Sequence, residues 1–132
     1  MIVVDTSALM AVILREPDVH RCIDVLDRED GLLISAGTVT EALIVATGRG
    51  SEPDMRRIID QLGFEIVSVT SAAALQMGSI YKRWGKGHHP TGLNFGDCFA
   101  YQLASERDLP LLFLGEDFAR TDIRSALQAR GS

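Results

Sequence analysis

The sequence predicts an α/β domain in which a mainly parallel sheet is covered by helices on both faces. Short, β-branched or leucine-rich runs alternate with longer stretches of helical period along the whole chain. The runs are apolar throughout rather than alternating, as expected for strands buried on both sides, and each is followed by polar or small residues. At 132 residues the chain has the length of one domain, with 46% hydrophobic and 23% charged residues and no low-complexity tract.

Four strands are expected, at Ile2–Val4, Leu32–Ser35, Phe64–Val69 and Leu111–Leu114. Helices are expected over Ser7–Leu14, Pro17–Arg28, Thr38–Thr47, Glu52–Leu62, Ser71–Trp84 and Asn94–Arg107, with a last one near Ile123–Ala129. Pro17 suits a first helical turn, Gly48 and Gly63 suit C-terminal stops, and Asn94 suits an N-cap. The segment from Lys82 to Asn94, KRWGKGHHPTGLN, is cationic and rich in Gly and His, so it reads as a surface loop and the best local place for a phosphate contact. Met77, Tyr81 and Trp84 stand at near-helical spacing and read as core rather than as a base-stacking platform. No repeat or long linker divides the chain, and residues 1–132 are expected to form a single domain.

The net charge of −5 and pI near 5.1 count against a protein that binds nucleic acid mainly by releasing counterions from phosphates. A nuclease that gathers carboxylates in one pocket can still be acidic, provided metal ions screen the pocket and a few local cations hold the backbone. Cys22 and Cys98 lie far apart without zinc-site spacing, which fits a reduced cytoplasm; Cys98 reads as a small buried hydrophobe. The apolar run from Ile2 is broken by Asp5 and has no basic residue before it, so neither export nor membrane insertion is expected.

Ligands of open α/β sheets bind beyond the carboxyl ends of the strands, and Asp5 and Asp117 follow the first and fourth expected strands closely. Glu41, in the first turns of the helix after the second strand, and Asp97, three residues beyond Asn94, can join them. Singly, each acid has an ordinary reading: Asp5 as a helix cap, Asp97 as a partner of its helix dipole, Glu41 or Asp117 as a solvated charge. Four converging carboxylates would repel one another unless a divalent cation or raised pKa values relieved the repulsion. Hard oxygen ligands suit Mg²⁺ or Mn²⁺ rather than Zn²⁺.

The segments VVDTSAL, TVTEAL, GKGHHPTGLNFGDCFAYQLA and LLFLGEDFARTDI, in this order and spacing, resemble PIN domains, and bacterial VapC toxins in particular, over nearly the whole chain. The resemblance implies a three-layer α/β/α fold with a central sheet of four or five strands. It implies a Mg²⁺-dependent endoribonuclease, with Mn²⁺ as a substitute, acting on RNA through water activated at the metal. Asp5 and Asp97 would be the principal metal ligands, Glu41 and Asp117 would complete the acidic pocket, and Ser7 would orient Asp5. Glu116 stands where many relatives carry Asn, adding a fifth carboxylate. Asp122 matches the family too and reads as a helix N-cap. A VapB-like antitoxin, a homodimer and a cytoplasmic location are further implications. Lys82, Arg83, Lys86, His88 and His89 are candidates to hold the RNA backbone, against their ordinary reading as a solvated face. Two rival functions fit less well. A phosphoacceptor receiver domain would want adjacent acids after the first strand and a late lysine, whereas Asp5 is single and Leu114 is followed by Gly-Glu-Asp. A catalytically silent binding module is disfavoured by four intact acids.

Overall fold

The computed structural model describes residues 1–127. In chain order the elements are β1 (Ile2–Val4), α1 (Thr6–Leu14), α2 (Val19–Arg28), β2 (Leu32–Ser35), α3 (Ala36–Gly48), α4 (Glu52–Gln61), β3 (Glu65–Val67), α5 (Ser71–Trp84), α6 (Phe95–Arg107) and β4 (Leu111–Leu112). The four strands form one sheet in the order β3-β2-β1-β4, with every neighbouring pair parallel. The fold is the expected three-layer α/β/α arrangement.

Alternation along the strands divides the core in two. Ile2, Val4, Leu32, Ile34 and Leu112 face a cluster with Leu9 of α1, Cys22 and Val25 of α2, Ala42 of α3 and Met55 of α4. Val3, Leu33 and Leu111 face the other side, where Trp84, Tyr101 and Leu103 of α5 and α6 pack with Phe113 and Phe118. Because β1 lies inside the sheet and is buried on both faces, its carboxyl end is fixed from every side.

Several expectations are corrected. Ile123–Leu127 is not helical: Leu111 N–H donates to Arg124 O and Ala126 N–H to Leu111 O, both at 2.9 Å, so pairing with β4 takes up backbone groups that a helix would need. The remainder of that expected helix lies outside the described residues. Asp122 therefore caps nothing; it accepts a hydrogen bond from the Tyr101 hydroxyl instead. Pro17 sits in a turn before Asp18, the N-cap of α2, because the chain leaves α1 through Arg15 in the left-handed region, with φ of 53°. After α3 the left-handed position is Gly50 (φ 71°), while Gly48 is still helical; Gly63 (φ 69°) does follow α4. β3 and β4 are shorter than expected. Of the presumed core trio only Trp84 is buried, whereas Met77 and Tyr81 line an open cavity on α5.

Candidate active site

Parallel pairing of β1 with β4 brings two carboxyl ends together, and Asp5 N–H donates to Leu112 O at 3.0 Å. Asp5 is also the N-cap of α1: its extended backbone turns the chain into the helix, and Oδ2 accepts from Ser7 N–H at 3.1 Å. The cap and site readings of Asp5 thus describe one geometry. The other carboxylate oxygen, Oδ1, is buried and has no hydrogen-bond partner. Ser7 Oγ accepts from Leu114 N–H at 3.0 Å, which fastens the start of α1 to the end of β4 and sets the course of the Gly115–Asp117 turn.

Glu41 comes from α3, which starts directly at the end of β2 with Ser35 as its N-cap. Two residues outside the expected set hold its carboxylate. The Thr6 hydroxyl donates to Glu41 Oε1 at 2.7 Å, and the carboxylate lies against Gly96, where any Cβ would collide with it. A second glycine, Gly37, leaves room for the Phe99 ring at the same crossing, so α3 and α6 approach closely from both sides. The sequence signals were a hydroxyl residue directly after Asp5 and a glycine in the first turn of a helix, where glycine costs stability.

Asp97 is presented by the start of α6. Asn94 Oδ1 accepts from Asp97 N–H at 2.9 Å and Asp97 Oδ2 from Asn94 N–H at 3.0 Å, a reciprocal capping box. One carboxylate oxygen is thereby committed to the helix cap, and the residue is almost fully buried.

Electrostatics tie the acids into one group. Burial pushes Asp5 up to about 6; hydrogen bonds from Ser7 oppose this and the charge of Glu41 adds to it. Burial likewise holds Asp97 well above the usual carboxylate range, reinforced by Asp5, Asp117 and Glu41. Among the described residues no lysine or arginine forms an ion pair with any of the four. No three acidic, histidine or cysteine side chains there stand close enough to enclose an ion unaided. The donor set still fits a hard divalent cation: Asp5 has a buried oxygen without a partner, and Mg²⁺ typically takes one or two direct carboxylates and fills its remaining positions with water.

Glu116 is placed apart from this group. It is exposed and lines a cleft with Asp18 and Arg21, while Asp117 acts on Asp97. The cationic segment is more ordered than a simple surface loop. Lys82 and Arg83 lie in the last turn of α5, and Lys86 N–H to Leu93 O (2.9 Å) with Leu93 N–H to Trp84 O (3.0 Å) closes the loop at its base. Arg83 lies over the Trp84 ring at 4.5 Å, His89 meets the same ring edge-on at 4.8 Å, and His88 meets Tyr81 at 5.8 Å. Trp84 Nε1–H donates to the Tyr101 hydroxyl at 3.0 Å, and that hydroxyl donates to Asp122. The loop is therefore strapped to α6 one turn beyond Asp97 and ends at Asn94, three residues before it.

A protein-family model described as PIN domain matches residues 2–124. Among curated proteins, Ribonuclease VapC30 of Mycobacterium tuberculosis is 39% identical over 124 residues, covering 92% of this chain and 95% of that protein. A Ribonuclease VapC of Mycolicibacterium smegmatis is 37% identical, covering 92% and 96%. Among solved structures, Mycobacterium tuberculosis VapC20, described as a sarcin-ricin loop cleaving toxin, superposes with a TM-score of 0.77 at 14% identity, covering 93% and 96%. A toxin–antitoxin complex from Klebsiella pneumoniae gives a TM-score of 0.71 at 17% identity, covering 96% and 98%.

Proposed function

The chain belongs to the PIN-domain family, among its VapC ribonucleases, and from that premise we propose that it cleaves RNA phosphodiester bonds at the centre made by Asp5, Glu41, Asp97 and Asp117. The observation that carries the proposal is a pair of buried acids, Asp5 and Asp97, whose carboxyls are pushed up by burial and by their acidic neighbours, with no ion-paired cation among the described residues and an unpartnered oxygen on Asp5. Such a cluster destabilises the fold by itself and makes sense as a cation site.

In this reading Asp5 and Asp97 hold Mg²⁺, or Mn²⁺ in its place. Such an ion, when bound, lowers the pKa of water and stabilises charge on the phosphate oxygens. Glu41 and Asp117 serve as further ligands or orient the attacking water, and Thr6 with Gly96 fixes the direction of Glu41. Ser7 keeps the Asp5 carboxylate in place through its N–H. Glu116, facing another cleft, supports the site only through the turn it shares with Asp117. Lys82, Arg83, Lys86, His88 and His89 hold the RNA backbone beside the centre.

The same reading includes a small VapB-like antitoxin that lays an arginine across the carboxylates, a homodimeric assembly and a cytoplasmic location. Resemblance in fold to a protein solved as a toxin–antitoxin complex supports the partner. Among the described residues no helix is long and apolar enough to cross a membrane. Family membership sets aside the phosphoacceptor reading, and the silent binding module is tested directly. Purified protein with Mn²⁺ should cleave RNA, EDTA should abolish the cleavage and Mg²⁺ or Mn²⁺ should restore it. Full activity after metal stripping would overturn the mechanism, and failure of the wild type to cut any RNA with Mn²⁺ would leave the binding module.

A further inference from the structure

Phe95 opens α6 two residues before Asp97 and is 79% exposed, the reverse of the ordinary treatment of a large aromatic ring. It is held in place nonetheless, meeting the Phe99 ring at 5.2 Å and 86° while Phe99 is seated on Gly37. Phe95 separates two cavities. The larger, about 540 Å³, runs along α5 past Met77 and Tyr81 and contains no carboxylate. The smaller, about 340 Å³, is walled by Gly37, Thr40, Ile44, Phe95 and Phe99 and includes Glu41, so it reaches one acid of the proposed centre. The Thr40 hydroxyl donates to Ala36 O, so Thr40 and Glu41, the two polar side chains of the lining, both face a ligand as acceptors.

We propose that the smaller cavity is a nucleobase subsite, in which a base of single-stranded RNA next to the cleaved bond stacks on Phe95 while its phosphate lies at the carboxylates. The inference rests on the ribonuclease reading above. The volume falls within the range of small-molecule sites, roughly 300–1,000 Å³. An oriented, solvent-open aromatic ring is the usual platform for unpaired bases, because every base offers a π-face. Continuity with Glu41 selects this occupant over an apolar protein segment, since a strand carrying a phosphate beside each base would use both the apolar wall and the acids that would hold a divalent cation. With two acceptors and an aromatic wall, the subsite holds an unpaired base chiefly by stacking.

The test uses the Mn²⁺-loaded full chain and short single-stranded RNA carrying 2-aminopurine, rapidly mixed and followed by fluorescence, beside steady-state cleavage. Stacking should quench the probe on wild-type protein. Phe95→Ala should lose the quenching and raise KM about 5- to 150-fold, the equivalent of one stacked base, with kcat unchanged; Phe95→Trp should restore both. The Mn²⁺-induced rise in melting temperature should be the same in all three proteins. Unchanged quenching and KM in Phe95→Ala would overturn the subsite. So would a changed oligomeric state with unchanged RNA kinetics, which would assign Phe95 to a protein contact. Absence of wild-type cleavage would instead remove the ribonuclease reading.

Discussion

Replacing Asp5 by Asn should stabilise the metal-free protein at neutral pH. The Asp5 carboxyl rises on folding from 3.8 to about 6. Between these values the folded chain keeps a proton that the unfolded chain has released, so stability falls as pH rises through the window and the full loss is present above it. At 1.36 kcal/mol per pKa unit the difference is about 3 kcal/mol as a ceiling. Asn removes the ionisation, keeps an oxygen for Ser7 N–H and is a good N-cap residue. Its amide nitrogen, however, would occupy the position of the unpartnered Oδ1, an offset of about 1–3 kcal/mol. The expected net gain is about 1 kcal/mol, or roughly 3–5 °C in Tm for a domain of this size. Thermal melts in EDTA at about pH 5 and about pH 8 check this: the wild type should lose stability between them and Asp5→Asn should lose less. Added Mg²⁺ should raise the wild-type Tm, by linkage, and leave the variant nearly unmoved. Melting curves that shift in parallel with pH, or a variant as responsive to Mg²⁺ as the wild type, would refute the assignment of Asp5 to the acidic centre.

Gly96→Ala should cut cleavage sharply while changing stability by no more than about 1 kcal/mol, because the new methyl group displaces only the far end of the Glu41 side chain and alanine favours the helix; a normal turnover rate would show that Glu41 need not stand where Thr6 holds it. Replacing Lys86, His88 and His89 together by Ala should raise KM with little loss of kcat, measured on a single RNA substrate, whereas a large fall in kcat at constant KM would place a histidine in the chemical step. A pull-down from the host should recover a small protein whose Arg→Ala variants still bind at high salt but inhibit less, since apolar burial supplies the affinity and the guanidinium blocks the carboxylates. Recovery of no such protein, with no inhibition by a neighbouring-gene product, would sink the antitoxin part of the proposal.

The parts of the fold that local signals govern were legible in the sequence. β1, β2 and α5 fall where the apolar runs and their flanking polar residues place them, and Asn94 caps α6 as its position before a helical stretch predicts. The four acids stood out because each follows a strand or opens a helix, and a parallel sheet gathers those ends at one edge. What stayed hidden depends on partners distant in sequence. Ile123–Leu127 has helical composition, yet Leu111 claims its backbone. Tyr81 and Met77 have core spacing, but no element packs over that face of α5 among the described residues. Thr6 and Gly96 carry only weak local signals, a hydroxyl after Asp5 and a glycine in a first helical turn, and their meaning emerges when α3 is laid against α6.

The strand order also has a temporal meaning. Val3 pairs with Leu111 and Val4 with Leu112, so β1, the first strand of the chain and one of the two inside the sheet, waits for β4, the last strand among the described residues, before it is complete. Contacts of such sequence separation form late and slow folding. During synthesis, a chain emerging from the ribosome can assemble α1 to α4 over one face of β1 and β2, but it has neither the Leu112 carbonyl that fixes Asp5 nor Asp117 itself until residues 111–117 have emerged. The acidic centre is thus assembled last: until residues 111–117 take their places, Asp5 lacks its backbone anchor and Asp97 its Asp117 neighbour.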